Sequence, residues 1–226
     1  MPVGAVVGLL VVSNVVVNRL LPDALYVPWN AAMAVALLAM ALRVDGRSAV
    51  DLGVDRATLG RGLRFGGVIV AVTAAVYLIG VALPWTRDLF DDSRVEGMGL
   101  PAVLYAAFVR VPLGTVLLEE VAFRGVLPAM LAARLGTLRA ALWSAALFGV
   151  WHVLPSLDLD DRNPVIQDHM GSAGVPVLVG LAVAATAVSG LFLWGLRRWS
   201  GNLAAPALAH WSSNGLGYLL AYFVTH

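Results

Sequence analysis

Two adjacent carboxylates, Glu119 and Glu120, stand inside the apolar run Val116-Leu117-Leu118-Glu119-Glu120-Val121-Ala122-Phe123-Arg124-Gly125, in a chain with only one other glutamate, Glu96. An ionisable side chain at membrane depth is costly unless it faces the protein interior or water, so its default reading is functional. Two further apolar stretches carry one histidine each, His152 and His210. A buried carboxylate can take a proton from water, and imidazoles can pass or donate protons at neutral pH. Together these are the materials of a buried hydrolytic site.

Helical spacing sorts the groups. Glu120 and Arg124 are four apart, in the favoured acid-first order, and share a face. Glu119 is rotated by about 100° from Glu120 on a helix. The division of labour this predicts pairs Arg124 with Glu120 and leaves Glu119 facing a cavity as the general base. Phe148 lies one turn before His152, so its ring can pack against the imidazole and fix it. His210 and Asn214 are also four apart and can present two polar groups at one point. Alone, that pair reads equally well as hydrogen-bonding glue between membrane helices. His169 and His226 fall in a loop and at the terminus and are assigned no role.

Several other chemistries are excluded. Lysine and cysteine are absent, which removes serine–lysine dyads, thiol catalysis, disulfides and thiolate metal sites. No His-Glu-x-x-His zinc helix occurs. Gly171-Ser172-Ala173-Gly174 does not match a rhomboid-type serine motif, and no Gly-x-Gly-Asp of an intramembrane aspartyl protease is present. The lone Asn163-Pro164 lacks the second copy a water channel needs.

The elements that must position these groups are membrane spans. Of the 226 residues 60% are hydrophobic and 13% charged, with a mean hydropathy of +0.83, where a soluble domain would be about a quarter charged. The fold class expected is all-α: a polytopic transmembrane helical bundle forming one domain over residues 1–226. Stretches near the required length of about 20 residues are Val3–Leu21, Val27–Leu42, Leu63–Leu83, Leu100–Leu118 continuing toward Met130, Arg139–Leu154, Val175–Leu196 and Leu203–Val224. That makes about seven spans, or eight if Pro112 splits the fourth. The first stretch lacks a basic leader and is expected to be a retained span. The polar region Asp45–Arg64, with capping signals at Asp55 and Thr58, is expected to form a short interfacial helix before the third span. Arginines cluster in residues 43–64, at Arg124, Arg134 and Arg139, and at Arg197 and Arg198. Acidic residues gather in the alternate loops, at Asp88, Asp91, Asp92 and Glu96 and at Asp158, Asp160, Asp161 and Asp168. The arginine bias places the N-terminus in the cytoplasm and the C-terminus outside. On straight spans, Glu119 and His210 then lie toward the cytoplasmic side and His152 toward the outer end of the fifth span, so convergence requires a kink or tilt. A net charge of +1 predicts no nucleic-acid partner.

The ordered set Glu119-Glu120-x-x-x-Arg124, Phe148-x-x-x-His152 and His210-x-x-x-Asn214 resembles the three-motif signature of the CAAX protease and bacteriocin-processing family of intramembrane proteases, which includes the type II prenyl-protein endopeptidases. Phe123-Arg124-Gly125 and the run Gly201-Asn202-Leu203-Ala204-Ala205-Pro206 also look like the family pattern. The likeness covers about residues 100–224; the first three spans carry no matching motif. It implies an intramembrane endopeptidase that cleaves a membrane-anchored peptide or protein, in contact with lipid, in the cell membrane of a prokaryote. It further implies that Glu119 and His152 activate water, that His210 and Asn214 stabilise the oxyanion, and that Glu120, Arg124 and Phe148 support the site. Glu119, His152 and His210 could together hold a zinc ion or another divalent metal. They could equally act without one, and the metal-free form is slightly favoured because no zinc motif is present. The alternatives are a catalytically idle member serving as a membrane scaffold or immunity protein and, less well supported, a proton-coupled transporter relaying through Glu119 and His210.

Overall fold

The computed structural model describes residues 3–157 and 174–226. The acidic cluster Asp158, Asp160, Asp161 and Asp168, together with His169, lies outside the described residues. Among the described residues there are no strands, and seven long helices carry the chain. They are α1 (Val3–Leu20), α2 (Tyr26–Arg43), α3 (Arg56–Ala82), α4 (Leu100–Leu135), α5 (Thr137–Trp151), α6 (Val175–Ser200) and α7 (Ala204–Thr225). Among the described residues, five helices are long and apolar enough to cross a membrane: α1, α2 (from Asp23), α3 as a stretch from Ala49 to Ala82, α4 and α6. The protein is therefore an integral membrane helical bundle. The other two long helices differ for visible reasons: α5 has only 15 residues, and α7 carries the polar sequence from His210 to Asn214. Outward-facing Val68, Val72, Val76 and Ile79 on α3 are exposed, as expected for a surface solvated by lipid rather than water.

One expectation about helix limits needs correction, and one of two alternatives falls away. The polar segment before the third span does not form one separate helix. It yields a four-residue helix, Ala49–Leu52, closed by a Ser48–Asp51 capping box, and α3 then starts at Arg56 with Asp55 as its cap. A capping carboxylate satisfies the first amide donors, so the helix begins as soon as a cap is available, well before the apolar run. The fourth segment does not split at Pro112. It remains one helix because Pro112 sits in a π-helical stretch, Ala106–Val116, and a second such stretch, Val121–Val126, follows the glutamates. Wider i→i+5 turns absorb the missing proline donor and typically mark functional sites. Donors from neighbouring helices reach carbonyls in both stretches: Trp211 Nε1 donates to Ala107 O at 2.7 Å and Ser144 Oγ to Phe123 O at 2.7 Å.

The arginine-bearing connections meet at one end of the bundle. Arg61 Nε donates to Ser200 O, and Arg197 Nη2 donates to Val50 O and Asp51 O. Asn202 fastens the same end: its side-chain amide donates to Asp55 O at 2.9 Å, while its Oδ1 accepts from Ala204 N at the start of α7. Leu203 N donates to Gly53 O, and Gly125 of α4 packs against the Leu52 carbonyl. These contacts set the depth of the functional residues. Glu119 is six residues from Gly125 and His210 seven from Leu203, so both lie about 10 Å inside this plane.

The apparent mismatch in the depth of His152 disappears in the same geometry. Gly136, with φ 77°, turns α4 directly into the antiparallel α5, a conformation glycine adopts at no steric cost. Glu119 lies seventeen residues before Gly136 and His152 sixteen after it. Because α5 spans only about 22 Å, it ends within the bundle and delivers His152 to the level of the glutamates. Its close packing on α6 needs Gly149, where a Cβ would stand 2.6 Å from Val183 O. The main apolar core, including Leu10, Leu37, Leu118, Phe123, Leu127 and Phe148, joins α1, α2, α4 and α5 beneath this hairpin.

Candidate active site

The charged residues of α4 are almost fully buried: Glu119 is 6% exposed, Glu120 2% and Arg124 2%, with His210 of α7 at 7%. Apolar surroundings penalise each charge, so the charges must be held by one another. Arg124 Nε lies 3.4 Å from Glu120 Oε2, and its guanidinium sits 3.8 Å from the centroid of the Phe148 ring, held by a cation–π contact. None of the three guanidinium nitrogens makes a hydrogen bond within the described protein.

Glu120 has a second and shorter contact. Its Oε1 accepts from His210 Nδ1 at 2.8 Å. An ionised carboxylate can only accept, so this bond keeps a proton on Nδ1 and leaves Nε2 for chemistry. Glu120 is thus not merely the partner of Arg124; it bridges the arginine of α4 and the histidine of α7. Glu119 points elsewhere, as the 100° rotation requires. Its Oε1 accepts from Trp151 Nε1 at 2.9 Å, and its Oε2 lies 3.7 Å from His210 Nε2 with no hydrogen-bond partner in the protein.

His152 follows the last residue of α5. Its Nδ1 is 2.7 Å from Phe148 O, a carbonyl that can only accept, so here too the proton is held on Nδ1. Phe148 contacts both imidazoles edge-on, with ring centroids 4.6 Å from His152 and 6.1 Å from His210. Asn214, one turn beyond His210, is exposed, and its Oδ1 accepts from Ser213 Oγ at 3.2 Å.

A cavity of about 920 Å³ gathers these groups. Glu119, Phe148, His152, His210 and Asn214 all line it; Glu120 does not. Its walls include Thr73 and Tyr77 of α3 and Thr186 and Ser189 of α6, and it extends to Asp91, Asp92 and Arg94 at the end of the bundle opposite the arginine cluster. Among the described residues, no three His, Asp or Glu side chains are gathered as a metal-ligand set.

Trp151 is the site residue that sequence reasoning missed. Its neighbour His152 drew attention because imidazole does chemistry, whereas indole reads as packing. The hairpin register about Gly136 carries the missing signal, since it brings Trp151 level with Glu119.

A family model described as type II CAAX prenyl endopeptidase Rce1-like matches residues 101–216, a span that contains every group named from Glu119 to Asn214. No curated protein and no solved structure gives a match.

Proposed function

Since this chain belongs to the Rce1-like type II CAAX prenyl endopeptidase family, we propose that it is an intramembrane endopeptidase in which Glu119 activates the attacking water. The observation that carries this reading is the division between the two carboxylates. Glu120 is consumed by Arg124 and His210, whereas Glu119 lines the cavity with Oε2 uncommitted.

The steps follow from the contacts. A water between Glu119 Oε2 and His152 Nε2 gives its proton to Glu119 as its oxygen attacks the substrate carbonyl. The oxyanion that forms is stabilised by donors from α7: the amide of Asn214 and His210, which takes a proton at Nε2 from solvent before the attack and keeps it through the step. Glu120 supports that charged form of His210 through the 2.8 Å bond at Nδ1. Glu119 then passes its proton to the departing amide nitrogen as the peptide bond breaks. Burial strengthens each of these interactions, because nearby water no longer screens them.

The substrate class is a membrane-anchored peptide or protein, cleaved where its chain enters the cavity. The cell membrane of a prokaryote, with the arginine-bearing end and the N-terminus in the cytoplasm, is the setting that fits the charge distribution. The test is cleavage by purified Glu119→Gln protein, which keeps the shape of the side chain and loses the base. Turnover per folded molecule should fall by at least roughly 100-fold. Wild-type turnover in Glu119→Gln would sink the proposal. A Glu119→Gln protein that retains the full cellular phenotype would favour the scaffold or immunity role.

A further inference from the structure

Glu119 also lines a second, smaller cavity of about 40 Å³, walled by Asn18 at the end of α1, Tyr26 and Asn30 of α2, and Trp151. Three of the groups here come from the first two helices, which carry no sequence motif. Asn30 is only 3% exposed, and its Oδ1 has no hydrogen-bond partner in the protein. A buried amide oxygen left unsatisfied costs about 1–3 kcal/mol, so an occupant that donates to it is expected. The chemistry and the volume agree on what that occupant is. The space suffices for two or three waters at roughly 10–15 Å³ each, and a buried water needs two to four polar partners. Asn30 Oδ1, the Glu119 carboxylate and the Tyr26 hydroxyl supply acceptors and a donor. The Tyr26 hydroxyl is itself held by Thr115 Oγ1 at 2.9 Å. Asn18 is exposed and marks the way in from the end of α1, its amide donating to Asn14 O at 2.8 Å.

We infer that this second cavity is a water site that feeds hydrolysis, with Asn30 holding a water that is passed along the Glu119 carboxylate to the attacking position between Glu119 and His152. The inference rests on the reading of Glu119 as the base and adds a route to it. A peptide occupying the large cavity displaces water from the face of Glu119 that the substrate approaches. The small cavity keeps the same carboxylate in contact with water from the other helices of the bundle. Peptide and water then reach Glu119 through different cavities, and neither has to leave for the other to bind. The chemistry is unchanged: the water oxygen bonds to the carbonyl carbon, its proton goes to Glu119, and the C–N bond breaks with that proton delivered to nitrogen.

The experiment compares full-length wild type, Asn30→Leu, Asn30→Ser and Val17→Phe in detergent, using one quenched fluorescent peptide that the wild type cleaves. Leucine at position 30 removes the acceptor and fills the cavity; phenylalanine at position 17, another wall residue, fills it without touching a polar group. Both should lower kcat by roughly 10-fold or more while KM stays within about twofold, as for loss of a correctly placed reactant. Asn30→Ser keeps an acceptor and should retain kcat within about threefold of wild type. Melting temperatures measured alongside identify any variant that is simply unfolded, and Val17→Phe carries the test if Asn30→Leu does not fold. Wild-type kcat in both filling variants overturns the inference. So does an equal loss in Asn30→Ser and Asn30→Leu, which would point to packing. Glu119→Gln in the same plates separates the two claims: if it is dead while the filling variants are fully active, only the water route fails. If it is active, the base assignment fails and the route falls with it.

Discussion

Removing Arg124 tests the electrostatic design of the site most directly. Its guanidinium is buried between Glu120, at 3.4 Å, and the face of Phe148, at 3.8 Å. Breaking a buried ion pair by deleting one member costs about 3–5 kcal/mol, because the remaining charge is stranded. Here the remaining carboxylate keeps one strong partner, since His210 Nδ1 stays 2.8 Å from Glu120 Oε1. The cost of Arg124→Ala should therefore sit at the lower end, about 3 kcal/mol, even though the substitution also removes the cation–π interaction with Phe148. For a chain of this size, that corresponds to a fall in melting temperature of about 6–12 °C. The assay is thermal unfolding of purified protein in detergent, with turnover measured per folded molecule well below the transition. The double variant Arg124→Ala/Glu120→Gln provides the internal control. Neutralising Glu120 removes the stranded charge, so the double variant should be more stable than the sum of the two single losses. An Arg124→Ala protein that melts within about 2 °C of wild type would refute the reasoning. Strict additivity in the double variant would refute it as well, by showing that the two side chains do not share the burial cost.

Glu120→Gln should lower both stability and turnover, because one side chain holds Arg124 and His210 together; melting and kinetics on one preparation check this, and a stable, fully active variant would contradict it. Trp151→Phe removes the indole donor to Glu119 Oε1 but keeps an aromatic ring against Phe123. A hydrogen bond to a charged group is worth about 1.5–3 kcal/mol, so kcat should fall by roughly 10- to 100-fold with KM little changed, and the melting temperature should drop by about 3–12 °C. Gly149→Ala would press a methyl group to 2.6 Å from Val183 O, and pushing α5 from α6 should cost about 1–3 kcal/mol, read as a lower melting temperature.

Much of the molecule was legible in the residues because membrane insertion is governed by local rules. A helix in lipid must satisfy its own backbone, so apolar stretches of the right length announce themselves: all seven expected stretches are largely helical, and five helices among the described residues are long and apolar enough to cross a membrane. The i, i+4 spacing of Glu120 and Arg124 likewise fixes which carboxylate meets the arginine, because that contact is internal to one helix. The matched family span from 101 to 216 coincides with the motif-bearing region for the same reason: the motifs are short and contiguous.

The remaining features depend on contacts between helices, which no single stretch encodes. The π-helical turns at Ala106–Val116 and Val121–Val126 do not follow from helix propensity; they are supported by donors from Trp211 and Ser144 on other helices. The depth of His152 depends on where α5 stops relative to α4, a matter of hairpin register rather than of span length. The bond from His210 to Glu120 bridges ninety residues of sequence, so spacing along the chain could not reveal that the second glutamate serves two partners. Asn30 shows the same limit from the other side. On its own helix it is an ordinary amide, and only the packing of α1, α2, α4 and α5 brings it to the wall of a small cavity that Glu119 shares. Local periodicity determined which residues could do chemistry; tertiary packing decided which of them meet, because buried charges take their partners from whichever helix lies opposite.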